Sequence, residues 1–84
     1  MRKFNVDIDI KFQLIEKKPK TCVWNVFNTF SNSFLGVIKW FPAWRHYVFF
    51  PEADIIFSDS CLIRIGNFIA EQNSKHRRFY DRMG

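Results

Sequence analysis

His46 is the imidazole best placed for chemistry in this 84-residue chain, because the carboxylates of Glu52 and Asp54 follow it closely. A histidine paired with a carboxylate is the commonest general base. On strand alternation, however, His46 shares a face with Trp44, Val48 and Phe50, where a lone histidine more often packs or sits at a rim. Cys22, Cys61, His46 and His76 have the ligand types of a zinc site, but no two are close in sequence and each falls on a different element. The cysteines have neither motif spacing nor an oxidising context, so they read as buried thiols. Gly36, Gly66 and Gly84 are too scattered to cradle a phosphate, and no nucleophile motif occurs. The residues thus describe a non-enzyme without metal or cofactor.

Aromatic and cationic groups are better placed. Trp40, Trp44, Arg45, Tyr47 and Phe49 flank a turn at Pro42-Ala43, and aromatic residues with Arg dominate binding hot spots. These five are the candidate partner-binding residues, with Arg45 expected to stack between rings. The competing reading places Trp40 and Trp44 in the core under a helix. A second set is basic: Lys17, Lys18 and Lys20 in one loop, Lys75, Arg77 and Arg78 near the C-terminal end, and Arg45. With a net charge of +5, this set suits nucleic acid bound with help from sheet-surface aromatics. Asp7 and Asp9 oppose that reading, and such lysines also serve simply as a solvated face.

These groups require an α+β scaffold. The composition is 48% hydrophobic with 11 Phe, 3 Trp and 2 Tyr, too apolar for a disordered chain. Phe4, Val6, Ile8, Ile10, Phe12 and Leu14 alternate with polar residues, as in a strand with one wet face. Pro19, the Ser31-Asn32-Ser33 turn and Pro42 then separate further β-rich segments. The expected architecture is a four-stranded antiparallel meander, with strands near 3–15, 21–30, 34–41 and 44–50. Gly36 predicts a bulge or a close crossing.

After Pro51 the apolar period changes. Ser58-Asp59-Ser60 offers a helix cap, and Leu62, Ile65, Phe68, Ile69 and Gln72 form a stripe beside Cys61. A helix near 59–73 should pack on one face of the sheet, with Gly66 against a strand. Residues 1–73 form one domain and 74–84 a frayed basic tail. One helix cannot cover both faces, so an apolar subset such as Val23, Phe27, Val37, Phe41, Tyr47 and Phe49 should remain as a partner or homodimer interface. No apolar run is long enough to span a bilayer, and no apolar leader develops before Asp7 and Asp9, which predicts a cytoplasmic protein.

Leu35-Gly36-Val37-Ile38-Lys39-Trp40, then Trp44-Arg45-His46-Tyr47-Val48-Phe49-Phe50-Pro51, then Cys61-Leu62 leading into Phe68-Ile69 resembles a family of small uncharacterised phage- and prophage-associated proteins. Its pattern is a Leu-Gly-x-Ile-x-Trp strand, a Trp-Arg-x-Tyr-x-Phe strand ending at Pro and a closing helix, matched here over residues 12–73. The resemblance implies a phage accessory protein acting in the bacterial host cytoplasm. Such a protein would bind a host protein, for example as an anti-CRISPR-like inhibitor of a defence nuclease.

Overall fold

Alternating apolar residues and well-placed turn residues divide the first part of the chain into four strands: β1 (Ile10–Lys17), β2 (Cys22–Asn28), β3 (Ser33–Phe41) and β4 (His46–Pro51). They are joined in sequence order into one antiparallel sheet. A single helix, α1 (Asp59–Met83), follows. The structure is a computed structural model that describes residues 9–83, with side chains described through Arg78. Phe4, Val6 and Ile8, expected in the first strand, lie outside the described residues.

Each turn has a local cause. At Pro19 the chain reverses with the Lys18 amide donating to the Thr21 carbonyl at 2.8 Å. The Asn28 side chain accepts from the amides of Phe30 and Ser31, and Asn32 adopts φ 59°, a conformation asparagine tolerates. In the third turn the Trp44 and Arg45 amides donate to the Phe41 carbonyl at 3.1 and 2.9 Å. Those two residues therefore belong to the turn, and β4 starts at His46 rather than at 44.

Two bulges set the faces. Between Leu14 and Glu16 the β1–β2 register shifts, which lets pairing continue to Lys17 and shortens the expected first loop. Between β2 and β3, Val26 pairs with Gly36 and Phe27 with Phe34, so Leu35 is the extra residue and is buried in the core. Gly36 has φ 151°, and a Cβ there would collide with the Phe50 carbonyl oxygen and stand 2.8 Å from the Phe49 ring. Glycine at this site gives the backbone its conformation and the Phe49 ring its space.

Ser58 caps α1, its Oγ accepting from the Cys61 amide at 3.2 Å, and Asp59 puts negative charge at the positive end of the helix. The face laid on the sheet carries Cys61, Ile65, Phe68 and Ile69 and continues through half-buried Gln72, Asn73 and His76. Leu62, expected in that stripe, is 52% exposed, because Cys61 rather than Leu62 keeps the spacing to Ile65 and Phe68. Gly66 also points to solvent, where an added Cβ would meet nothing within 4 Å, so close approach to a strand does not account for it.

The helix runs to Met83, well past the expected end near 73. Residues 74–83, read as part of a frayed tail, continue the helix, with Lys75, Arg77, Arg78, Arg82 and Met83 favouring it and no Gly or Pro among them to stop it. Lys75 pairs with Glu71 one turn away at 3.3 Å, and His76 stacks on Trp40.

Two glycine substitutions separate these constraints. In urea unfolding, Gly36→Ala should cost roughly 3 kcal/mol or more, from strain plus overpacking. Gly66→Ala should instead add about 0.5–1 kcal/mol, the helix-propensity difference at an unobstructed site. Equal effects at the two positions would contradict the placement of α1 and β3.

Candidate functional site

The register assigns each strand residue to a face. Opposite partners share a face, so the pairs Phe12–Val26, Trp24–Ile38, Ile38–Phe49 and Trp40–Tyr47 define the side under the helix. Phe68 stacks on Phe12 at 4.0 Å and meets Trp24 edge-on at 5.1 Å. Tyr47 is 4% exposed, between Trp24 and Trp40 with both ring centroids at 5.3 Å.

This placement corrects the expected aromatic site. Tyr47 and Phe49, assigned from the sequence to the uncovered face, are packed under α1 with Trp40. In β4 both alternating sets are largely apolar, so composition could not choose between them; Gly36 beneath the Phe49 ring and the Trp40–Tyr47 pairing do. Trp44 and Arg45 alone of that five-residue set are exposed. Trp44, at 63% exposure, meets the Phe41 ring at 4.9 Å. Arg45 sits in the turn at φ 58° and makes no ring contact among the described residues.

The helix-free face is built from Val23, Asn25 and Phe27 on β2, Phe34, Val37, Lys39 and Phe41 on β3, and His46, Val48 and Phe50 on β4. Phe27 lies against Phe34, and Phe41 against Phe50 and Trp44. The Lys39 ammonium stands 4.9 Å from the Phe50 ring centre. Lys11 and Gln13 flank a shallow hollow beside Phe27, Thr29 and Asn32. Sequence reasoning missed Phe34, Val48, Phe50 and Lys39 as members of this surface, because membership depended on the bulge at Leu35 and the phase of β4. Whichever phase β4 took, the alternation of His46, Val48 and Phe50 already placed those three together.

The basic residues divide differently. Lys17, Lys18 and Lys20 of the first turn and Lys75 of α1 line one cleft of about 270 Å³, together with Tyr47 and His76. Arg77 and Arg78 are exposed further along the helix, and neither they nor Arg45 lines this cleft. The cleft floor is tied by the Cys22 amide donating to the Tyr47 hydroxyl at 3.1 Å. Cys22 is half-buried and Cys61 buried, and no disulfide joins them. Exposed His46 contacts the Tyr47 carbonyl through Nδ1. No group of three or more potential metal ligands occurs among the described residues, and no described helix is long and apolar enough to cross a membrane.

Desolvation lowers the His76 pKa from its ordinary 6.5, since its ring lies against Trp40 at 4.3 Å. The unfolded chain therefore takes up this proton at a higher pH than the folded one. Stability from this group is full above about pH 6.5 and declines as pH falls through that window. An NMR titration of the His76 ring should give a midpoint below 6.5; a midpoint at or above that value would show that desolvation does not govern this ring.

Comparison with protein-family models, curated proteins and solved structures finds no match for this chain.

Proposed function

We propose that this chain is a non-catalytic binding domain and that its helix-free sheet face docks another protein. The observation that carries this reading is the pair of aromatic groups, Phe27 with Phe34 and Phe41 with Phe50 and Trp44, on the face opposite α1. Rows of strands about 4.8 Å apart, rising about 3.3 Å per residue, give this face an extent on the order of 400 Å². This footprint, which includes Asn25 and Lys39, is on the scale of the largest patches on monomers, which are often functional. It is about half of what one partner gives a standard interface, so these groups form a centre and Trp44 with the third turn forms part of a rim.

Charge argues for a partner of different sequence rather than a second copy. Among the described strand residues Lys11 and Lys39 stand on this face, with Glu16 as the carboxylate that shares it. Two copies stacked face to face would bring like charges together, whereas a partner with carboxylates around an apolar knob would be attracted. The resemblance to phage accessory proteins points to a bacterial host protein and to an inhibitory role. A second reading, single-stranded nucleic acid stacked on the same face, is favoured by Lys39 beside Phe50 and by exposed Trp44.

Retention of partners from a bacterial lysate, followed by affinity measurement with the purified partner, tests the proposal. Phe50 and Trp44 are 37% and 63% exposed, so Trp44→Ala with Phe50→Ala should shift the melting temperature little while weakening a protein partner by about tenfold or more. Nucleic acid as ligand would show binding that weakens steeply with salt, through counterion release. Concentration-dependent doubling of mass in light scattering would instead identify a second copy. A protein partner whose affinity ignores both substitutions would overturn the proposal.

A further inference from the structure

On the helix side of the sheet, away from the aromatic face, three lysines from one turn meet a fourth from a distant part of the chain. Lys17, Lys18, Lys20 and Lys75 converge on one cleft. Among the described residues Lys17, Lys18 and Lys20 make no ion pair, and Lys75 pairs with Glu71 on its own helix. Glu16, the nearest carboxylate in sequence, pairs with Val23 and so belongs to the other face. Like charges gathered at one mouth repel, and an anion held among them removes that repulsion.

We propose that this cleft is a binding site for a small phosphate-bearing ligand of the diphosphate type. Three features select that chemistry. Several lysine ammonium groups lining one cleft suit a ligand that carries more than one negative charge, which they bind as point charges. A volume of about 270 Å³ lies just below the range typical for drug-sized ligands, and suits one or two phosphoryl groups better than a chain of nucleotides. The walls are also fixed before any ligand arrives. The Lys18–Thr21 hydrogen bond closes the turn, the Cys22–Tyr47 bond ties it to β4, and the His76–Trp40 stack sets the helix beside it. Thr21 and Gln72 line the cleft as well and can donate hydrogen bonds to phosphoryl oxygens.

The site is independent of the proposed docking face, so each can fail without the other. Its test is titration of the full chain with inorganic pyrophosphate, followed by amide NMR and calorimetry. The expected result is saturable one-to-one binding, with shifts centred on residues 17–22 and 72–76. Lys18→Gln with Lys20→Gln, and separately Lys75→Gln, should each weaken it by about tenfold, the scale of a lost charge-assisted contact, while Lys39→Gln on the opposite face leaves it within about twofold. These lysines are exposed, so unchanged melting temperatures will confirm that the variants fold. Non-saturating binding, shifts spread over the surface, or equal weakening by Lys39→Gln would overturn the proposal as general attraction to a basic protein. Binding of oligonucleotides or anionic vesicles that pyrophosphate fails to displace would overturn it in favour of a macromolecular ligand.

Discussion

Tyr47 is held by three elements at once. Its ring fills the space between Trp24 of β2 and Trp40 of β3, and its hydroxyl accepts the Cys22 amide. Its own amide, on the outer edge of β4, donates to the Asn73 side chain of α1 at 2.6 Å. An outward amide on an edge strand is normally left to water or to another chain. Here the helix occupies that amide, and a side chain pointing the other way from β4 would lose the aromatic contacts and the hydroxyl bond together. The phase of β4, the seat of α1 and the identity of the uncovered face follow from this one residue.

The two faces were not equivalent candidates for a core. Beneath the helix the cross-strand positions are occupied by Phe12, Trp24, Val26, Ile38, Trp40, Tyr47 and Phe49, with Val26 and Ile38 fully buried. The opposite face places Asn25 and Lys39 among its aromatics, and covering a lysine without a partner charge costs far more than a nearby phenylalanine contributes. Packing α1 on the first face leaves the second as a mixture of rings and cations, a composition suited to a surface that is covered only on association. The same packing carries Lys75 to the first turn and so creates the basic cleft. Both candidate surfaces are consequences of where a single helix can lie.

Much of this was legible from residue order. Alternation in residues 10–14 and 22–27, together with Pro19, Asn32 and Pro42, specifies the meander, and Ser58-Asp59 marks the start of the helix. Gly36 also announced its close contact correctly. The phase of β4 was hidden because Val48 and Phe50 are as apolar as Tyr47 and Phe49, and a one-residue slip exchanges the two sets. The end of the helix was hidden because Asn73 to His76 look like a polar tail. Yet Asn73 and His76 continue the spacing of Ile65, Phe68, Ile69 and Gln72, and a polar residue on that stripe signals a hydrogen bond or a stacked ring rather than an end. The basic cleft was the least legible, since nothing local relates Lys75 to Lys17, Lys18 and Lys20.

The central claim is that α1 covers one sheet face and leaves the other open in the isolated chain. Methyl NMR on dilute monomeric protein, with a soluble paramagnetic agent added, tests it most directly, because relaxation then reports the distance of each methyl from solvent. Half-buried Val37 and Val48 on the open face should relax much faster than Val26 and Ile38, which are fully buried under the helix. Equal relaxation of the two sets, whether both fast or both slow, would contradict the account.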